Sequence, residues 1–176
     1  MEYNTTVINF FAGPGAGKTS SSFTLASELK WRGINIEYVP EYAKELTWGS
    51  EWETLDNQLH VSVEQYKRIK RLNGKVEFII TDSPIILGVN YLKNEHSYKD
   101  SFKDVIFNCF NEFNNVNYFL YRKKKYLNKG RTETEEESII IDKKIETFLL
   151  LNGIDYTILD GVKDNFKIIL NELGLK

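Results

Sequence analysis

The sequence predicts an α/β fold, a doubly wound, mostly parallel five-stranded sheet with helices on both faces. Three observations predict it. Short apolar runs alternate with helical runs five times, the signature of crossover-linked strands, which connect right-handedly. The first run, residues 7–11, is almost wholly apolar, as a strand buried on both faces must be. The polar clusters at 13–19, 41, 82 and 122–131 each follow the end of a run. In such sheets ligands bind beyond the carboxyl ends of the strands, so these clusters are expected to serve one active site.

Strand one is 7–11. Helix one is expected over 18–31, with Phe23, Ala26 and Leu29 at helical spacing and Gly33 as its stop. Strand two covers 34–39. A long helix is expected over 53–72, with Leu55, Leu59, Val63, Tyr66 and Ile69 as its apolar stripe and Asn73-Gly74 as its end. Strand three, 76–81, runs into Asp82-Ser83-Pro84. A short helix over 85–92, a polar loop over 94–99 and a helix over 100–113 follow. Strand four is 116–121. A helix over 133–151 starts at the capping box Thr132-x-x-Glu135. Strand five, 155–159, turns at Asp160-Gly161, and a last helix covers 162–173.

Composition excludes several classes. The chain has 176 residues, 41% hydrophobic and 27% charged, enough for one domain, 1–176, with a substantial core. Net charge is −2, which gives no global electrostatic case for nucleic acid or a membrane. Cys109 is the single cysteine, so no internal disulfide or cysteine zinc cluster can form, and its apolar neighbours suggest a core residue. His60 and His96 lack metal-ligand spacing. No apolar stretch reaches membrane-spanning length. Met1-Glu2-Tyr3-Asn4 does not read as a signal peptide. A cytoplasmic setting is expected.

The stretch Ala12-Gly13-Pro14-Gly15-Ala16-Gly17-Lys18-Thr19 sits between strand one and helix one, the context of a phosphate-binding loop. Gly13, Gly15 and Gly17 let the backbone approach an anion. The amides from about Gly15 to Thr19 and the start of the following helix are suited to wrapping a β-phosphate. Lys18 is expected on the β- and γ-phosphates, and the Thr19 hydroxyl on Mg²⁺. Gly13, Gly15, Ala16, Gly17, Lys18, Thr19 and Ser20 are therefore the candidate nucleotide-binding residues. The loop resembles the P-loop, or Walker A, family, with Ala12 where the strict pattern has glycine.

Asp82 closes an apolar strand and resembles the Walker B carboxylate, a second Mg²⁺ ligand. Its competing reading is a turn residue in Asp-Ser-Pro. Glu41 follows strand two and is placed to hold or deprotonate an acceptor hydroxyl. Its competing reading is a helix N-terminal carboxylate. Residues 122–131 hold six basic residues in ten. A solvated face is the default for such a run, but Arg131, beside Gly130, is the candidate lid arginine, and Arg122 a candidate nucleotide contact. Trp48, Trp52, Tyr42 and Tyr66 are candidates for stacking on an acceptor ring or for ordinary core packing.

Together, Phe-Ala-Gly-Pro-Gly-Ala-Gly-Lys-Thr, Val-Pro-Glu-Tyr-Ala-Lys-Glu, Thr-Asp-Ser-Pro and Gly130-Arg131 resemble the ribosylnicotinamide kinase-type branch of the P-loop kinases, also common among bacteriophage proteins. The resemblance implies sheet order 2-3-1-4-5, ATP and Mg²⁺, a small nucleoside- or nucleotide-type acceptor, and roles for Lys18, Thr19, Glu41, Asp82 and Arg131. The family usually has arginine where Lys44 stands, and lysine lacks the bidentate phosphate contact. Two alternatives to a small-molecule kinase are an NTPase switch acting with a protein partner and a kinase acting on DNA, at a 5′ end or a modified base. Acidic net charge argues against the DNA reading, and the basic 122–131 run keeps it as an alternative.

Lys18→Ala is expected to abolish phosphoryl transfer while leaving the circular dichroism spectrum and unfolding midpoint unchanged. Retained transfer in a labelled-ATP assay would reject the P-loop assignment.

Overall fold

The structure, a computed structural model, describes residues 2–92, 96–123, 125–126 and 133–175. Its elements are β1 (Thr6–Phe11), α1 (Lys18–Trp31), β2 (Ile36–Val39), α2 (Tyr42–Trp48), α3 (Trp52–Asp56), α4 (Gln58–Lys70), β3 (Phe78–Thr81), α5 (Gly88–Tyr91), α6 (Lys99–Asn111), β4 (Asn114–Tyr121), α7 (Glu135–Leu151), β5 (Thr157–Asp160) and α8 (Phe166–Glu172). The five strands form one parallel sheet in the order β2-β3-β1-β4-β5, as expected. Part of the expected loop at 94–99, Thr132 of the expected capping box, and Gly130 and Arg131 lie outside the described residues.

The chain forms two compact units. The first comprises Met1–Asn9 and Asn35–Val116. Here β3 pairs with β1 on one side, Ile8 opposite Ile80, and with β2 on the other, Val39 opposite Thr81. Ile8, Ile36, Ile79 and Ile80 are fully buried, which is why these strands read as continuous apolar runs rather than alternating ones. The second unit comprises Phe10–Ile34 and Asn117–Lys176. Here β4 pairs with β5, Leu120 opposite Leu159. Phe10, Phe11, Tyr118, Phe119 and Leu149 form its interior, with the Phe10 and Tyr118 ring centroids 5.9 Å apart.

Three expectations change. The helix expected over 53–72 is two helices, α3 and α4, preceded by a separate α2. Asn57 interrupts it: its side chain caps α4 by accepting the His60 amide at 3.1 Å, a role short polar side chains perform better than they continue a helix. The stripe from Leu55 to Ile69 thus spanned a break in phase. Of its members on α4, Leu59 and Val63 are exposed, and the inward face is Val61, Ser62, Gln65 and Ile69.

Phe23 is likewise on the outside of α1, 55% exposed, while Ser21, Ser22, Leu25, Ala26 and Leu29 are buried. The small serines allow close approach, and Ser21 Oγ accepts the Asn165 amide at 2.8 Å. The capping box of α7 is Thr134 with Glu137: the Thr134 hydroxyl accepts the Glu137 amide at 3.2 Å, and the Glu137 carboxylate accepts the Thr134 amide at 2.7 Å. Thr134 is followed at the correct spacing by Glu137, as Thr132 is by Glu135, and local pattern alone does not separate them.

Leu25→Ala is expected to cost about 2–5 kcal/mol in urea unfolding, whereas Phe23→Ala should stay within about 0.5 kcal/mol. The reverse order would show that α1 presents its other face to the core.

Candidate active site

In the second unit, β1 ends at Phe11 and the chain turns through the glycine loop into α1. Gly15 (φ 81°) and Gly17 (φ 108°) have left-handed backbone, which any residue with a Cβ adopts only under strain. Gly17 is the N-cap of α1. The first turn of α1 carries no acidic residue, so the amide-rich entry to this helix has no carboxylate of its own competing with an anion. The Lys18 ammonium lies back along the loop, donating to the Ala12 carbonyl at 2.6 Å and the Gly13 carbonyl at 3.2 Å. Lys18 and Thr19 open α1, both partly exposed, and Ser20 is exposed. The backbone geometry, the ammonium and the hydroxyl fit a nucleotide phosphate chain.

Gly13 serves differently. Its φ is not left-handed, but a Cβ there would meet the Asp142 carboxylate and the Ser138 carbonyl, each at 2.8 Å. Its amide donates to Asp142 Oδ1 at 2.5 Å. Asp142 Oδ2 accepts from Arg122 at 2.8 Å, and the same guanidinium donates to the Pro14 carbonyl at 2.7 Å. Both side chains of this ion pair are largely buried. The Arg122 guanidinium also lies over the Tyr126 ring, 5.6 Å from its centroid, and the Tyr126 hydroxyl accepts from Ser138 at 3.1 Å. A Cβ on Gly15 would collide with both Arg122 and Tyr126. The entry arm of the loop is thus braced from α7 and from the residue that follows β4. Sequence reading named Arg122 but missed Asp142, an acidic residue within the run Ile139 to Lys144 that carries no motif.

In the first unit, Asp82 directly follows β3 and is 3% exposed. Tyr38 of β2 donates its hydroxyl to Asp82 Oδ1 at 2.8 Å. Burial, then the charge and hydrogen bond of Asp82, then the charge of Glu41, push the Tyr38 phenol far above its ordinary pKa, so it keeps its proton and remains a donor. Sequence reading missed Tyr38, whose position two residues before Pro40 resembles any strand residue. Ser83 closes a local turn, its amide donating to the Thr81 hydroxyl at 3.1 Å.

Glu41 occupies the N-cap of α2, and its side chain makes no capping hydrogen bond. The charges downstream are occupied or outward: Glu45 pairs bidentately with Arg68 at 2.6 and 2.7 Å, which holds its carboxyl below the usual range, and Lys44 is exposed. Arg68 also lies 4.6 Å from the Tyr42 ring centroid. Trp48 and Trp52 are surface residues, 76% and 55% exposed, not core aromatics. The Tyr42 hydroxyl lies 3.2 Å from His60 Nε2, and His96 stacks on Tyr98. Among the described residues no group of histidine, cysteine and carboxylate side chains forms a metal cluster. Cys109 is half-buried.

A glycine loop with left-handed turns after the central strand of a 2-3-1-4-5 parallel sheet defines the P-loop kinase fold. Within this class the chain belongs to the AAA domain family, whose family model matches residues 7–164. Similar solved structures include the NadR protein in complex with NR (17% identity, TM-score 0.73), covering 98% of this chain and 52% of that one. The chain therefore spans about half the length of that protein. Deoxyadenosine kinase from M. mycoides with bound dATP is 21% identical, TM-score 0.57, with 97% of this chain and 99% of that one covered. Thymidylate kinase from Ehrlichia chaffeensis is 11% identical, TM-score 0.66, with 97% and 98% covered. No curated protein matches by sequence.

Asp142→Ala leaves Arg122 buried without its carboxylate and the Gly13 amide without its acceptor. Urea unfolding is expected to report a loss of about 3 kcal/mol, whereas Lys123→Ala, which removes an exposed pair with Asp160, should change stability by less than about 0.5 kcal/mol.

Proposed function

We propose that this protein is an ATP-dependent phosphotransferase acting on a small nucleoside- or nucleotide-type acceptor. The observation that carries the reading is the Tyr38 hydroxyl, bonded to Asp82 and within the field of Glu41. The first unit carries two carboxylates after strand ends, Glu41 after β2 and Asp82 after β3, which this reading assigns to an acceptor hydroxyl and to a metal. Two of the similar solved structures are kinases, deoxyadenosine kinase and thymidylate kinase, which supports the same class.

In this reading the loop amides from Gly15 to Ser20 and the Lys18 ammonium bind the phosphate chain. Thr19 and Asp82 would hold Mg²⁺, which when bound neutralises charge on the phosphate oxygens. Tyr38 occupies Asp82 Oδ1 and fixes the rotamer of that carboxylate. Glu41 orients the acceptor hydroxyl and takes its proton as the acceptor oxygen forms a bond to the γ-phosphorus and the β–γ bridging bond breaks, with ADP leaving. Arg122, a candidate nucleotide contact in the sequence, serves in this reading by holding the loop through Asp142 and the Pro14 carbonyl. Arg131 stabilises charge on the transferring phosphoryl group.

The AAA domain match favours a second reading, a regulatory ATPase acting with a protein partner. A screen of nucleosides, nucleotides, ribosylnicotinamide and short DNA ends with labelled ATP separates the two. Label transferred to a small acceptor supports the kinase, label on DNA the nucleic-acid variant, and acceptor-independent turnover raised by a protein partner the regulatory ATPase. With an acceptor in hand, Glu41→Gln is expected to lower kcat at least 100-fold, the range of a general base, with ATP affinity within about twofold.

A further inference from the structure

Helix α4 supplies a residue that the mechanism above leaves unused. Gln65 is 4% exposed, on the inward face of α4. Its Oε1 accepts the Tyr42 amide at 3.0 Å, and its Nε2 donates to the Pro40 carbonyl at 3.2 Å. These two groups belong to the peptides on either side of the Glu41 Cα. One side chain therefore grips both peptide planes that bound Glu41. That leaves its φ of −65° and ψ of 117° little freedom, since φ and ψ are the only soft backbone angles of a residue.

The same contact resolves how a poor capping residue comes to stand at the N-cap of α2. Glutamate is not among the residues favoured there. The Tyr42 amide, one of the donors a helix start leaves without an intrahelical partner, is satisfied by Gln65 instead. Pro40 has no N–H, so its carbonyl is the one backbone polar group it offers, and Gln65 takes that too. Tyr42 is held further by the guanidinium of Arg68, one turn along α4. No ionised or purely apolar residue at 65 meets both demands, because the site needs one donor and one acceptor on a single planar group.

We infer that Gln65 is a positioning residue for phosphoryl transfer, fixing the backbone from which Glu41 reaches the acceptor. The inference rests on the kinase reading of Glu41. It distinguishes Gln65 from a residue that merely stabilises α4, because its effect passes through one carboxylate.

The test is a double-mutant cycle between Gln65 and Glu41, read in the phosphate-transfer assay with the acceptor found in the screen. Gln65→Leu is expected to lower kcat about 10-fold or more while the KM for ATP stays within about twofold. In a Glu41→Gln background the same change is expected to cost less than about twofold. Gln65→Glu keeps an acceptor for the Tyr42 amide but, ionised, cannot donate to Pro40. It should lose less than Gln65→Leu, and it replaces that variant in the cycle if Gln65→Leu does not fold. Wild-type kcat in the variant, an equal loss in both backgrounds, or a loss confined to the KM for ATP would overturn the positioning role and leave the kinase reading standing. Failure of the wild-type protein to transfer phosphate to any acceptor would overturn the kinase reading, and this inference with it.

Discussion

The left-handed backbone at Gly15 and Gly17 is the constraint on which the second unit depends. It lets the chain leave β1 and enter α1 in a few residues, with the loop amides gathered at the start of a helix whose first turn holds no acid. A Cβ at either glycine would add strain, and at Gly15 it would also strike Arg122 and Tyr126. The Lys18 ammonium then spans the loop through the Ala12 and Gly13 carbonyls. The phosphate-binding shape is thus built largely of backbone, which costs no reorganisation when charge arrives.

Each unit holds charge in fixed contacts, and in the second these brace the loop. Asp142 and Arg122 are largely buried, mutually paired and each bonded to the loop backbone. A pair of this kind adds little net stability over an apolar substitute, but breaking one partner is expensive. Its consequence is definition: the entry arm from Gly13 to Pro14 is tied to α7 and to the chain leaving β4. Tyr38 performs a comparable task for Asp82 in the first unit, where a protonated phenol occupies one carboxylate oxygen and leaves the direction of the other determined. Gln65 extends the pattern from charge to backbone, because a neutral amide with one donor and one acceptor holds the Pro40–Tyr42 segment where a charged side chain would meet only half of its needs.

The exposed side of α2, α3 and α4 contrasts with these fixed contacts. Trp48, Trp52, Leu59 and Val63 all lie outward, although scattered apolar surface residues are ordinary in soluble proteins. The exposure of Leu59 and Val63 follows from the interruption at Asn57, which resets the helical phase and turns Val61, Gln65 and Ile69 inward instead. A buried glutamine in that row is a cost met by its two backbone bonds, and so it marks where the fold asks for something other than apolar packing.

The fold class, the sheet order through its family resemblance, and the glycine loop were legible in the residues alone. Continuous apolar runs such as Phe78 to Thr81 and a loop bounded by strand and helix are local signals, determined by side chains within a few positions of one another. Helix faces were less legible. Phe23 and Val63 satisfy helical spacing as well as Leu25 and Val61 do, and a neighbour such as Asn165 beside Ser21 decides which face turns inward. Tyr38, Gln65 and Asp142 carry no motif, because each acts through a partner 23 to 129 residues away in the chain. Glycines, strand ends and the lysine of the loop were determined by the sequence itself. The clamps that orient them exist only once folding brings distant backbone amides, carbonyls and carboxylates within hydrogen-bond reach.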